Sequence, residues 1–227
     1  MENFDNVNRS VRDYFPEVCV PGSPSPLLWL DFSYTQDKKR EIKANGLKSK
    51  PKDFKSSTKT VLFSTQDLLL LRGTPSDRRN WLDTAISQVY PAYEERLSKY
   101  NKIRIQKNNF LKEYTGDTTL LDVYNEQMAI LGSNIIYLRK KFLKEIEKIA
   151  QEKHSTISQE ENLSIKYECS FLTEETEVEE IVEKFKQRLE ERKEPEIIRA
   201  QSLVGPHRDD IIFFINSQKA TKFASQG

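Results

Sequence analysis

Leu121-Asp-Val-Tyr124-Asn-Glu-Gln-Met128-Ala-Ile-Leu131-Gly-Ser-Asn-Ile135-Ile-Tyr-Leu138-Arg-Lys-Lys-Phe142-Leu-Lys-Glu-Ile146-Glu-Lys-Ile149 places an apolar residue at alternating steps of three and four, broken once by a second four. This is the seam of a long amphipathic helix. Extended from about Thr118 to Lys153, such a helix is roughly 50 Å long at 1.5 Å per residue, and the expectation is that it projects as an arm. Its simplest antiparallel partner is the segment Pro91 to Tyr114, which presents Tyr93, Leu97 and Tyr100 and connects through Thr115-Gly116-Asp117. A methionine and aromatic stripe at this spacing reads as packing, not as a cofactor box.

Working outward, Pro75 opens a shorter helix with Trp81, Leu82, Ala85, Ile86 and Val89, after a short apolar helical turn at Leu68 to Leu71. Upstream, Leu27 to Tyr34 and Arg40 to Ala44 read as a β-hairpin with Asn45-Gly46 following as a turn, and Thr60 to Ser64 as a third strand. Downstream, Leu163, Ile165, Tyr167, Cys169 and Phe171 alternate with polar residues in a strand with one buried face, which makes Cys169 a core thiol. A charged helix is expected from about Glu174 to Lys193, ended by Pro195. A last strand, Asp210 to Ile215, then turns at Asn216-Ser217 into Ala220 to Ala224. Strands, helices, strands is the order of a sheet domain interrupted by a helical insertion. The boundaries are an unassigned segment 1–26, a β subdomain 27–74, a helical arm 75–160 and a return to the head over 161–227.

The chain has 227 residues, 37% hydrophobic and 31% charged, enough to bury a core without disulfide staples. Cys19 and Cys169 are isolated, and His154 and His207 lie far apart, so no zinc site is expected. No apolar run approaches the roughly 18 residues of a membrane span, and the start lacks a secretory pattern, so the expected compartment is the cytoplasm. The net charge of +1 hides segregation: Lys38 to Lys59 carries +7, Arg96 to Lys112 +6 and Glu174 to Glu194 −4. Basic stretches are the footprint of a surface that tracks phosphates, although solvated lysine-rich faces read the same way.

Generic nucleotide motifs are absent: no Gly-x-x-x-x-Gly-Lys-Ser/Thr occurs. His207-Arg208-Asp209 is no kinase loop, because Phe214 stands where an asparagine is required. Asp209-Asp210 is better read as a strand-entry turn than as a chelating pair, since neighbours on a strand point to opposite faces.

Four segments in order rise above this background. Val61 to Leu68 leads through Arg72-Gly73-Thr74-Pro75 into Arg78-Arg79-Asn80-Trp81-Leu82-Asp83; then come Gln106 to Lys112, Gly205-Pro206-His207-Arg208-Asp209-Asp210, and terminal Ser225-Gln226-Gly227. This pattern closely resembles the RecF family of bacterial DNA replication and repair proteins, from about Asp31 onward. The resemblance implies an α/β fold: part of an ABC-type, SMC-like ATPase head bearing an inserted antiparallel coiled-coil arm. It also implies weak DNA-dependent ATPase activity with ATP and Mg, ATP-dependent homodimerisation, binding to single-stranded or gapped DNA in recombination and the SOS response, and cooperation with RecR and RecO.

Carried onto this sequence, the nucleotide-facing positions are Ser225, Gln226 and Gly227, acting in trans, and Gln66. DNA-contact candidates are Arg78, Arg79, Arg104, Lys107, Lys112, Lys140 and Lys141. At most one of the adjacent Arg78 and Arg79 faces the core, since neighbours on a helix point roughly 100° apart. The sequence departs from the family at Thr65-Gln66, where Pro-Glu is commoner, and at Lys107-Asn108-Asn109, where Arg-Asn-Ala is usual. The family's phosphate loop and its acidic metal-binding strand have no counterpart in these residues, so the chain is expected to be a fragment, inactive alone. The other reading is a non-catalytic interaction module resembling an SMC arm.

Overall fold

The computed structural model describes residues 30–34, 40–51, 61, 64, 67, 69–116, 118–171 and 177–220. The chain divides into two units, 1–61 and 62–227. In the first, β1 (Leu30–Tyr34), β2 (Arg40–Ala44) and β3 (Leu47–Lys48) form an antiparallel sheet in that order. The β1–β2 hairpin is the expected one, with Phe32 opposite Ile42. Asn45 and Gly46, at φ 51° and 78°, are the two central residues of the next turn, the paired left-handed conformation of a tight hairpin. They add β3, which the sequence reading left out. The strand expected over Thr60 to Ser64 falls largely outside the described residues, and Val61 and Ser64, which are described, are not in a strand.

The second unit runs α1 (Leu69–Arg72), α2 (Pro75–Val89), α3 (Pro91–Lys112), α4 (Thr119–Ile157), β4 (Leu163–Glu168), α5 (Val178–Glu191), α6 (Lys193–Arg199), β5 (Asp210–Ile215) and β6 (Gln218–Lys219). Thr74 and Asp77 close a reciprocal capping box at the start of α2, with Pro75 in its first turn. Pro195 does not end the charged helix. It lies in the first turn of α6, where its missing N–H has no helical partner to lose. The chain turns between the two helices at Arg192.

The 39-residue α4 is the spine of this unit. Met128 and Ile135 of its seam are fully buried with Leu82, Ile86, Tyr93 and Tyr100, which come from α2 and α3. The expected arm of two helices is broader than the seam implied, because a second flank, Ala129 and Ile136, packs against Ile181, Phe185 and Leu189 of α5. Towards its C-terminal end α4 meets β4. Glu147 accepts from the Ile165 N–H at 2.8 Å and Gln151 donates to the Leu163 carbonyl at 2.9 Å. β4 is an edge strand of the sheet β4-β5-β6, paired antiparallel with β5, and these side chains occupy backbone groups that an open edge leaves unpaired. Cys169 follows β4, half-buried beside the α5 cluster.

Candidate functional site

Between α6 and β5 the chain passes through Ala200 and Gly205, both at positive φ (48° and 127°), and through Gly205-Pro206-His207-Arg208-Asp209-Asp210. Side chains from four other elements hold this segment. Gly205 is required twice over: its backbone is left-handed, and a β-carbon there would run into the Tyr100 hydroxyl and the Phe185 ring.

α2 supplies three residues. Arg78, almost fully buried, makes a two-point contact with Asp210, Nε to Oδ1 at 2.7 Å and Nη2 to Oδ2 at 2.8 Å, and donates to the Gly73 carbonyl. The hydrogen bonds to Asp210 hold its guanidinium more strongly charged than usual. Arg79 donates to the Asp209 backbone carbonyl at 2.7 Å. Asp83 accepts from Arg139 of α4 at 2.9 and 2.8 Å and from the Tyr93 hydroxyl of α3. Arg139 itself is buried and also donates to the Pro206 carbonyl at 2.6 Å. Burial works against its charge, but Tyr167, Tyr93 and Asp83 outweigh that and keep it protonated.

Tyr167 of β4 donates to Asp209 Oδ2 at 2.5 Å, while Asp209 Oδ1 is buried without a hydrogen-bond partner. Burial pushes the Asp209 carboxyl up to about 6, against the Tyr167 hydrogen bond and Arg139. His207 is pushed the other way, down to about 3, by burial, with Arg104, Arg208 and Arg79 adding to it. Its Nε2 lies 3.2 Å from the Ser202 carbonyl, which only accepts, so the proton sits on Nε2 and Nδ1 accepts from the Tyr100 hydroxyl at 2.8 Å.

α3 grips the start of the segment. Asn108 Oδ1 accepts from the Ser202 N–H and hydroxyl, at 2.8 and 2.7 Å. Lys107 is completely buried and bound to Glu196 of α6 at 2.5 Å, and Glu196 also accepts from the Leu203 N–H.

Two segments that carried the sequence resemblance thus meet in space, Arg78 and Arg79 on Asp209 and Asp210, and a third, through Asn108, holds Ser202 just before Gly205. Comparison with known proteins gives the same answer. The chain is 38% identical over 193 residues to the DNA replication and repair protein RecF of Thermosynechococcus vestitus, covering 83% of this chain and 51% of that protein. It is 42% identical over 194 residues to the protein so named in Streptococcus agalactiae, covering 84% and 52%.

The chain belongs to the RecF family.

No protein-family model matches. Two solved structures of RecF in the RecFOR pathway, one described as RecF-ATP and one as RecF-ATPrS, superimpose with a TM-score of 0.79 at 32% identity, covering 88% of this chain and 55% of theirs. The chain spans about half the length of the curated RecF relatives it matches. The partial ABC-type ATPase fold follows from these structures.

The site residues inferred from the RecF resemblance fare unevenly. Gln66, Ser225, Gln226 and Gly227 lie outside the described residues, as do five of the nine basic residues of the Lys38 to Lys59 stretch, where Lys43 is described beside Glu41 at 3.5 Å. Two of the DNA-contact candidates need correction: Arg78 and Lys107 are buried in ion pairs and have no surface to offer a phosphate. Arg79 is half-buried on the Asp209 carbonyl. Lys112 and Lys141 are exposed, Lys140 half-buried, and Arg104 half-buried with its Nε enclosed and unpartnered. Sequence reading missed Asp83, Tyr93, Arg139, Tyr167 and Glu196. A signal existed for Arg139, a lone cation four residues after Ile135 and four before Leu143 on a buried face. Among the described residues there is no group of acidic, histidine and cysteine side chains that could hold a metal, and no helix long and apolar enough to cross a membrane.

Proposed function

We propose that this chain is the part of a RecF-type DNA replication and repair ATPase that couples the head to its helical arm, and that it contacts single-stranded or gapped DNA through phosphates. One observation supports this reading above the others. Two of the sequence segments shared with RecF, far apart along the chain, are joined by the Arg78–Asp210 pair and the Arg79 bond to Asp209, and a third holds Ser202, three residues before Gly205, through Asn108. A module that retained only an arm would have no reason to keep the strand-entry segment and its buried partners together.

On this reading ATP with Mg binds the whole protein, at Gln66 and, across a homodimer interface, at Ser225, Gln226 and Gly227. DNA, RecR and RecO are its partners in the cytoplasm. The backbone N–H groups of a Ser-Gln-Gly turn suit a γ-phosphate. The 227 residues carry no Gly-x-x-x-x-Gly-Lys-Ser/Thr lysine to neutralise the β- and γ-phosphates, so this chain by itself neither binds ATP at micromolar concentration nor hydrolyses it.

The test is fluorescence anisotropy of the purified chain on labelled single-stranded and gapped oligonucleotides across a salt series. Contacts to about five phosphates give a slope near −4 to −5 in log K against log salt, independent of base sequence. Absence of binding at low salt, or a flat profile, refutes the DNA reading. Micromolar, Mg-dependent binding of a fluorescent nucleotide refutes the claim of inactivity.

A further inference from the structure

Around the Gly205 to Asp210 segment almost every charge is matched. Arg78 faces Asp210, Arg139 faces Asp83 and Lys107 faces Glu196, while His207 is neutral. Three guanidiniums stand outside these pairs, against one carboxylate, Asp209, which acts on Arg79 and Arg139, so cations remain in excess. Arg79 touches only a backbone carbonyl, and no carboxylate pairs with Arg104 or Arg208 among the described residues. All three act on the same imidazole, His207.

The position of Arg104 follows from helical spacing. Tyr100, four residues before it on α3, bonds His207, and Asn108, four residues after it, bonds Ser202. Residues four apart share a helix face, so Arg104 lies between two anchors on the same 202–207 segment. There its Nε is enclosed with no acceptor within reach. A buried guanidinium nitrogen without an acceptor has lost its water and gained nothing in return, and such a group in a native protein calls for a missing partner. The surplus of cations sets the sign of that partner. Arginine forks match the oxygens of a phosphoryl group in pairs.

We infer that Arg104, Arg208 and Arg79 form one phosphate-binding site beside the His207 turn, taking a phosphoryl oxyanion of the DNA backbone or of a nucleotide. This rests on the DNA reading only for the identity of its ligand. Arg208 is exposed and supplies the entrance, Arg104 the enclosed donor, and Arg79 a charge already fixed by the Asp209 carbonyl. A phosphate there ties α3 to the segment that enters β5.

The experiment compares the intact chain with Arg104→Ala/Arg208→Ala and with Arg208→Ala alone, which removes an exposed side chain and leaves the fold undisturbed. Three probes are used: a labelled oligonucleotide, Mg-ATP, and inorganic phosphate against chloride at matched ionic strength, read by thermal unfolding. At about 50 mM salt the double variant is expected to lose tenfold or more in oligonucleotide affinity, with a log–log salt slope shallower by one to two, and the single variant about half of that slope change. A loss confined to the ATP arm supports the site and assigns it to a nucleotide. If the wild type binds neither DNA nor ATP, the DNA reading fails alone. The site then stands if phosphate raises the melting temperature of the wild type by 2° or more and not that of the double variant. Equal behaviour of wild type and variants with all three probes overturns the site, even where DNA binding itself survives.

Discussion

His207 and Asp209, two residues apart in one buried turn, give this protein an unusual pH signature. His207 titrates at about 3 when folded against an ordinary 6.5, so it contributes stability that is present above pH 6.5 and lost as pH falls towards 3. At about 1.4 kcal/mol per unit this amounts to about 5 kcal/mol. Asp209 titrates at about 6 against an ordinary 3.8, so its contribution is present below pH 3.8 and lost as pH rises through 6, about 3 kcal/mol in all. Between pH 4 and 6 the two slopes oppose each other. Near pH 5 the unfolded chain carries the proton on His207 and the folded chain carries it on Asp209, so folding moves a proton from one to the other and the pair takes up none. Each variant should unmask its partner. Relative to wild type, the unfolding free energy of Asp209→Asn should rise by about 2 kcal/mol from pH 4 to 6, and that of His207→Gln should fall by about 2.5 kcal/mol over the same window. Differences against wild type cancel the remaining carboxylates. Urea unfolding followed by far-UV circular dichroism at pH 4, 5, 6 and 7 measures both curves. Two flat difference curves, or two of the same sign, refute the burial argument for this turn.

Three further outcomes follow from the same packing. Arg139→Met leaves the half-buried Asp83 without its cation and frees the Pro206 carbonyl, and should destabilise the chain by about 2–4 kcal/mol in urea unfolding. A loss below 1 kcal/mol would show that solvent reaches Asp83. Gly132→Ala sets a methyl group against the Phe185 ring, with Tyr100 at 3.1 Å and Pro206 at 3.2 Å, and should cost about 1–3 kcal/mol by the same assay. An unchanged midpoint would mean that α4 and α5 can separate at this crossing. Lys107→Met alone should destabilise by about 3–5 kcal/mol, while Lys107→Met/Glu196→Leu recovers most of it, because the cost lies in the unpaired buried charge. If the single variant instead keeps its stability and weakens DNA binding, Lys107 belongs to the DNA surface after all.

How much of this was legible in the sequence depends on whether an interaction has a local pattern. The α4 seam, the Pro75 and Pro91 starts and the β4 alternation are periodicities or end signals within a few residues, and they correspond to structure. The second face of α4 was not read, because Gly132 and Ser133 interrupt the apolar count between Ala129 and Ile136. Gly132 has no side chain, which lets Phe185 of α5 approach. The ion pairs join residues 132, 89 and 56 positions apart, and no window along the chain contains both members.

Lys107 is the instructive case. Counted by composition, it is one of six basic residues between Arg96 and Lys112, a stretch that reads as a single phosphate-facing surface. Counted by phase, it is different from the rest. Tyr93, Tyr100 and Lys107 are seven residues apart, Leu111 follows four later, and all four are buried, whereas Arg96, Lys99 and Lys102 lie off that register and are exposed. A lysine in step with two buried tyrosines is a core position that carries a charge, and burial of that kind requires an opposite charge from elsewhere in the fold. The same count places Arg104 at the edge of the buried face, half in and half out, where a cation can be held by the protein and still reach a ligand. The phase of a cation on its helix, not the density of cations along the chain, separates those that hold this fold together from those free to meet a phosphate.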